Sequence, residues 1–231
     1  FYWRVCDFLY IYHLTTKKMK LFITCLSFLC IFVSCKKIIG IPDNFDYGKI
    51  EKNVYQNEFF GMHWPINDGW ESLDRGYVDS LRAEGLKDMV GDNEQLEKTI
   101  TAADIKTANL LSIIHVDTIE VQMYSPNISM MAENLALNIQ IKNGQDYLEE
   151  AKKFMQGSGV NFEFVGDIHQ FNIDGKEFFT MEVINLVQGV PIHQDFYATV
   201  INGFGLALVG SWMDKKQRVI IQQSLATIQF D

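Results

Sequence analysis

Cysteine is the residue whose absence limits this 231-residue chain most. All four cysteines, Cys6, Cys25, Cys30 and Cys35, lie within the first 35 residues, and none follows. A domain built from the rest of the chain has no disulfides, and it can do without them because a chain of this length buries one large apolar core. The same absence excludes catalysis by a cysteine of the folded region.

Motifs of catalysis are missing as well. Gly157-Ser158-Gly159 and Gly210-Ser211-Trp212 do not match the Gly-x-Ser-x-Gly turn that exposes a nucleophilic serine. The histidines are isolated, and the best cluster, His193-Gln194-Asp195, places two side chains on one side of a predicted strand. We interpret these side chains as forming a cross-strand hydrogen bond or a solvated face, with a metal-ligand pair as the alternative. No glycine-rich phosphate loop follows a predicted strand, so we predict no enzyme, no metal and no cofactor.

Basic side chains are scarce relative to acidic ones. The chain has 20 Lys and Arg against 29 Asp and Glu, a formal net charge of −9. The segment before Cys35 contains four basic residues and one acidic residue, so the part that follows has 16 Lys and Arg against 28 Asp and Glu, a formal net charge of −12. A surface of this sign repels the phosphates of nucleic acids, so we expect no nucleic-acid partner.

The longest apolar stretch is shorter than the roughly 20 residues that a membrane-spanning helix needs. It lies in Met19–Cys35, follows Lys17 and Lys18, and ends in Val33-Ser34-Cys35, which is the layout of an export signal. The ending resembles the lipobox of bacterial lipoproteins, in which the cysteine is acylated and becomes the first residue of the mature chain. An apolar anchor helix that retains Cys35 is the alternative.

This stretch divides the chain. We predict an upstream extension over residues 1–18, a lipoprotein signal peptide over 19–34, lipid attachment at Cys35, a tether over 35–52 and one domain over 53–231. The predicted location is the bacterial cell envelope, with the lipid anchor in a membrane. Lys36-Lys37, rather than an acidic run, follows Cys35, which favours a periplasm-facing position.

Periodicity and turn residues predict the elements of the domain. Asp174-Gly175 and Asn202-Gly203 are two-residue hairpin turns. We predict two short strands within 54–70, helices over 74–90 and 93–108, strands over 110–116 and 128–141, a helix over 145–156, hairpins over 162–187 and 193–212, and a final helix capped by Asp214. The fold class is therefore α+β, an antiparallel β-sheet with helices on both faces.

The aromatic and turn positions also support a resemblance. The segments that carry it are Tyr55-x-Asn57-Glu58-Phe59-Phe60-Gly61, Pro65, Gly69-Trp70, Ala207-Leu208-Val209 and Ile228-Gln229-Phe230. Their pattern is similar to that of the Mog1/PsbP-like α/β/α sandwich, in particular its bacterial lipoproteins of unknown function. The resemblance covers residues 53–231. It implies a binding or assembly role, and no functional residue is transferred by it.

Three tryptophans are the candidate ligand-binding residues. Trp64, Trp70 and Trp212 either line an aromatic groove for a ligand or pack in the core. Our first hypothesis is a lipid-anchored envelope protein that presents a non-catalytic domain to a protein partner. The alternative is a periplasmic binder of a small ligand in the aromatic groove, and a hydrolase with a dispersed site is a third.

Overall fold

The computed structural model describes residues 40–90, 94–116, 124–187 and 189–231. The elements found there are, in chain order, β1 (Lys49–Glu51), β2 (Val54–Asn57), β3 (Met62–Pro65), β4 (Trp70–Ser72), α1 (Arg75–Val90), α2 (Glu94–Ile105), β5 (Thr107–His115), β6 (Asn127–Asn134), α3 (Gly144–Gly157), β7 (Phe162–Ile173), β8 (Lys176–Val187), β9 (Val190–Ile201), β10 (Phe204–Trp212), α4 (Lys215–Leu225) and β11 (Gln229–Phe230).

Seven strands form one antiparallel sheet in the order β4-β5-β6-β10-β9-β8-β7. Both predicted hairpin turns are confirmed: Asp174-Gly175 joins β7 to β8, and Asn202-Gly203 joins β9 to β10. All four turn residues have positive φ, between 49° and 80°, which matches the right-handed twist of the strands they join.

The predicted strand pair near the start of the domain belongs to a separate sheet. Strands β2 and β3 pair with each other and lie between β1 and β11 in a four-stranded sheet. Pro65 is the last residue of β3, as expected of a residue that has no ladder donor. The partner β11 comes from the far end of the chain, and for that reason local sequence signals do not predict it.

The two faces of the large sheet are covered differently. Leu206 and Leu208 of β10 point into the main core, which the small sheet and the Ile221 and Leu225 side chains of α4 complete. Helix α3 packs on the other face, where Leu148 contacts Met181, Val183 and Ala198. Helices therefore lie on both faces, as predicted, and the small sheet shares one face with α4.

Two glycines of β10 show how closely these helices approach. A Cβ at Gly205 would lie 2.5 Å from the Tyr147 ring of α3, and one at Gly210 would lie 2.7 Å from Ile221 of α4. Because the two positions have opposite parity, they face opposite sides of the sheet. Glycine lets each helix sit directly on the strand.

Two predicted boundaries are corrected. The strand predicted over 128–141 ends at Asn134, and residues 135–141 form turns closed by bonds from the Asn138 amide to the Leu135 carbonyl and from the Ile141 amide to the Asn138 carbonyl. The helix predicted over 93–108 ends at Ile105, because Thr107 already pairs with Glu133 in the sheet.

Residues 40–52, predicted as part of a tether, are folded against the domain. Phe45 stacks on Phe204 with ring centroids 4.9 Å apart, and Ile41 and Tyr47 also pack against the main core. Residues 49–51 form β1. The Gly40 carbonyl accepts a hydrogen bond of 2.8 Å from the Asn134 side chain. Composition rich in Gly, Pro and Asp predicts a loop here, and aromatic contacts distant in sequence fix that loop in place.

Candidate functional site

The three candidate tryptophans are core residues and line no groove. Trp64, Trp70 and Trp212 are 0%, 8% and 4% exposed. The Trp64 indole donates to the Ser224 carbonyl at 3.2 Å, and Trp70 packs edge-to-face on His115 at 5.3 Å between ring centroids. A ligand cannot stack on these rings unless the core opens, so the predicted aromatic groove is not formed by them.

The predicted lipid-attachment residue, Cys35, lies outside the described residues. Within the described part of the chain, no helix is long and apolar enough to cross a bilayer. The side chains placed there also contain no group of three or more His, Cys, Asp or Glu suited to holding a metal ion.

A buried charge cluster lies where α4 meets β9 and β10. Asp195 is 0% exposed, and its two carboxylate oxygens accept hydrogen bonds of 2.8 Å from Nε and 2.7 Å from Nη2 of Arg218. The Trp212 indole donates to the same carboxylate at 3.1 Å. This two-pronged pairing satisfies a charge that would otherwise cost several kcal/mol to bury.

Glu182 and His193 extend the cluster toward solvent. Glu182 bridges Arg218 and His193, with its carboxylate oxygens 3.0 Å from Arg218 Nη2 and 3.0 Å from His193 Nδ1. The His193 ring stacks on Trp212 with centroids 4.1 Å apart and an interplanar angle of 15°. Glu182 and Asp195 are register partners on β8 and β9, so period-2 alternation places His193, Asp195 and Glu182 on one face.

Within the cluster, Arg218 and Asp195 stabilise each other's charged form against the effect of burial. Burial raises the pKa of the Asp195 carboxyl, and the charge and hydrogen bonds of Arg218 oppose that rise. Burial of the Arg218 guanidinium disfavours its charge, yet Asp195 and then Glu182 outweigh this effect and raise its pKa. The charges are therefore paired within the domain, and the ion pairs of Arg218 with Asp195 and Glu182 attach α4 to the sheet.

Sequence reasoning found part of this cluster. His193 and Asp195 were expected on one side of a strand, and the cross-strand bond of His193 to Glu182 agrees with the hydrogen-bonding interpretation. Arg218 was missed because it belongs to another element, 23 residues from Asp195. The available signal was an arginine one turn into a helix that follows a buried strand.

An apolar cleft opens on the other face of the same strand ends. Its volume is about 270 Å³, and it is lined by the apolar side chains Val187, Val190, Ile192 and Met213, with Tyr124 and the amide groups of Asn185 and Gln194. We call this end of the large sheet, where β8 ends, β9 begins and β10 ends, the cleft end. The cleft offers apolar contact and two amide groups, and no nucleophile or acid–base pair.

The opposite end of the large sheet is where the described chain begins, and we call it the Gly40 end. It contains Gly40, Asn134 and the Asn202-Gly203 turn before Phe204. Strand β10 runs from Phe204 at the Gly40 end to Trp212 at the cleft end, a distance of roughly 27 Å at the usual rise per residue.

A second cleft, of about 240 Å³, lies between β1, the start of α1 and β5. It is more polar, since Lys49, Asp74, Arg75 and Asn109 are among its lining residues. The Arg75 guanidinium there lies over the Tyr47 ring, 4.4 Å from its centroid, so this cation is engaged within the domain.

These features define a class: a cysteine-free α+β domain in which a seven-stranded antiparallel sheet carries a buried charge cluster on one face and an open apolar cleft on the other. No family model matches the chain, and no curated protein matches it.

Solved structures are similar to it. The solution structure of cyanobacterial PsbP (CyanoP) from Synechocystis sp. PCC 6803 is 14% identical, over 77% of this chain and 91% of that chain, with a TM-score of 0.45. LpqN, described as involved in cell envelope biogenesis of Mycobacterium tuberculosis, is 12% identical, over 73% of this chain and 82% of that chain, with a TM-score of 0.39. A PsbP structure among the matches agrees with the resemblance stated from the sequence, and at these scores no role is transferred.

Proposed function

We propose that the protein is a lipid-anchored lipoprotein of the bacterial cell envelope whose domain binds a protein partner without catalysing a reaction. The observation that carries the proposal is the apolar cleft with its exposed rim. Val187, one of its lining residues, is 50% exposed where β8 ends, and its chain neighbour Leu186, on the opposite face of the strand, is 57% exposed. The proposal rests on this chain's own residues, and what is described for LpqN is said of LpqN alone.

The cleft has the form of a docking point for an apolar side chain. Protein interfaces draw most of their binding energy from a few apolar or aromatic anchors that fill pockets surrounded by polar groups. Val187, Val190 and Ile192 supply the apolar wall, and Asn185 and Gln194 supply hydrogen-bonding groups. Exposed apolar surface beside a cleft marks an interaction site on an otherwise acidic protein.

The partner is tested by photo-crosslinking from two positions of the full chain in native membranes. A photoreactive residue at Val187 is expected to yield one discrete adduct, and the same residue at Val219, an equally exposed valine of α4, is expected to yield none. Binding of the purified partner should weaken about tenfold in Val187→Glu and stay unchanged in Val219→Glu. Equal adducts from both positions, or none from either, would contradict the proposal.

The anchor is tested by metabolic labelling with a fatty acid. Cys35→Ser removes the thiol that the acyl chain would occupy, so we expect the variant to lose the label and to remain uncleaved or soluble. Cys30→Ser is the matched control, since it alters a cysteine within the predicted signal, and it should label like the wild type. Labelling of Cys35→Ser at the wild-type level would overturn the anchor.

A second candidate function, small-ligand binding, has support from the same cleft. The cleft volume of about 270 Å³ is close to the lower limit for small-molecule sites. The ligand would contact Val190, Ile192 and Met213, which replaces the tryptophan groove expected from the sequence. Native mass spectrometry of the purified protein distinguishes the two functions, because a ligand binder carries a reproducible added mass that Ile192→Trp, which fills the cleft, removes.

A further inference from the structure

The Gly40 end carries an exposed apolar group of its own. Ile139, Ile105 and Leu137 are 66%, 60% and 53% exposed, which makes them three of the four most exposed aliphatic side chains among the described residues. Ile105 ends α2, and the other two lie in the turns that follow β6. Large aliphatic side chains at these exposures leave apolar surface in contact with water.

Hydrogen bonds place Ile105 and Asn134, the last residue of β6, next to Gly40 and Ile41. The Ile41 amide donates to the Ile105 carbonyl at 3.3 Å, and the Asn134 side chain donates to the Gly40 carbonyl at 2.8 Å. The backbone amide of Asn134 also donates to the Lys106 carbonyl at 2.8 Å. Residues 40, 105 and 134 are thereby held together, and Leu137 follows Asn134 by three positions.

The chain length between Cys35 and this group limits where the group can lie. Gly40 follows Cys35 by five residues, and five residues reach at most about 18 Å when fully extended. A domain anchored through acyl chains on Cys35 therefore keeps its Gly40 end within that distance of the lipid headgroups. The cleft end, roughly 27 Å further along β10, has no such restraint.

The charges next to Ile105 are already paired within the domain. Asp104 lies 2.7 Å from Arg82, and Lys106 lies 2.7 Å from Glu133. Paired charges cost less to bring toward a medium of low dielectric constant than single ones. Asp43, which is exposed near Gly40, is acidic, and the basic pair Lys36-Lys37 follows Cys35 rather than lying among these side chains, so what the group itself offers a membrane is apolar contact.

We propose that Ile105, Leu137 and Ile139 form a membrane-contacting tip that enters the headgroup region of the bilayer holding the lipid on Cys35. This inference rests on the proposed lipid anchor. It deepens the proposed function, because the tip fixes the orientation of the domain on the membrane. The Gly40 end faces the lipid, and the cleft end faces the aqueous space where a partner is met.

The test uses the mature acylated chain, which begins at Cys35, in phosphatidylcholine vesicles and a fluorescent label on one introduced thiol. Ile139→Cys places the label on the tip, and Leu186→Cys, at a similarly exposed aliphatic residue of the cleft end, is the matched control. Cleavage before Cys35 removes the three earlier cysteines, acylation occupies the Cys35 thiol and no cysteine follows it, so each variant has a single reactive site. Nitroxide-labelled phosphatidylcholine is expected to quench the label at position 139 about fivefold more than the label at 186.

The outcomes separate this inference from the anchor. Vesicle flotation reports attachment, and a chain that does not float with the vesicles overturns the anchor and the tip together. A chain that floats but shows equal quenching at both positions overturns the tip alone. A label at 139 that is shielded from water without being quenched marks a protein contact and overturns it too. Quenching that disappears in 1 M salt would show an electrostatic contact in place of the apolar one.

Discussion

The two ends of the large sheet are stabilised by different chemistry. At the Gly40 end, Phe45, Phe59, Phe60 and Phe204 form an aromatic cluster with neighbouring ring centroids 4.9 to 6.4 Å apart. At the cleft end, the charge cluster around Asp195 does the corresponding work. Each aromatic contact contributes its own small stabilisation, whereas removing one member of a buried ion pair leaves the other charge uncompensated. The loss of one side chain should therefore reduce the free energy of unfolding more at the cleft end than at the Gly40 end.

The largest expected effect is at the charge cluster. Arg218→Met removes the cation that both Asp195 and Glu182 contact, and it leaves the Asp195 carboxylate buried without a charge partner. Breaking such a pair costs about 3–5 kcal/mol. Urea unfolding monitored by circular dichroism measures this loss as a lower midpoint at unchanged slope.

A matched control exists at the Gly40 end. Lys106→Met removes the cation paired with Glu133, which is less buried than Asp195 and still accepts a hydrogen bond of 3.0 Å from the Tyr147 hydroxyl. We expect a loss of about 1 kcal/mol, because a partly exposed carboxylate regains water. Equal losses in the two variants would show that the charge cluster is no more demanding than an ordinary ion pair.

The next largest effect concerns the segment that precedes β1. Phe45→Ala removes a ring that contacts Phe59, Phe60 and Phe204, and because Phe45 is only partly buried we expect about 2 kcal/mol, less than for a fully buried phenylalanine. Hydrogen exchange of residues 41–47 should accelerate more than that of β9 and β10.

Tyr77→Ala is the control for this variant, since Tyr77 is an exposed aromatic residue of α1. Its change should stay within about 0.5 kcal/mol. If Phe45→Ala also changes the free energy of unfolding by no more than this, residues 40–52 act as a flexible tether. The distance between Cys35 and the domain would then no longer be limited to five residues of chain.

The sequence predicts best what is encoded locally. The Asp174-Gly175 and Asn202-Gly203 turns fix two hairpins and their register, because the positive φ of these residues suits only that connection. Helix α3 was predicted nearly to its ends from one apolar face that includes Leu148. In these elements neighbours in sequence carry the whole signal.

The sequence predicts poorly what depends on distant contacts. Strand β11 joins the small sheet by pairing with β3, and Phe45 packs on Phe204 from the other end of the domain. Asp195 meets Arg218 only after α4 folds back on the sheet. The tryptophans illustrate the same limit, since composition alone does not distinguish a groove from a core.

The smallest expected effects are at the two helix starts, one on each face of the large sheet. Asp214 accepts hydrogen bonds from the amides of Lys216 at 2.8 Å and Gln217 at 3.0 Å, whereas Asn143 accepts one, from the Asp146 amide at 2.9 Å. Asp214→Ala should cost about 1.5 kcal/mol and Asn143→Ala about 1 kcal/mol, because the first loses two bonds and a favourable charge at a helix N-terminus.

The control for the cap at α4 is Asp214→Asn, which keeps the acceptor oxygen and removes the charge. It should recover most of the loss, since the charge alone contributes about 0.3–1 kcal/mol. Urea unfolding of the three variants measures the differences. A larger loss of stability in Asn143→Ala than in Asp214→Ala would contradict this order. Its physical reason would be that the ion pair between Arg218 and Asp195 already holds α4 on the sheet, so that the helix depends less on its N-cap than α3 does.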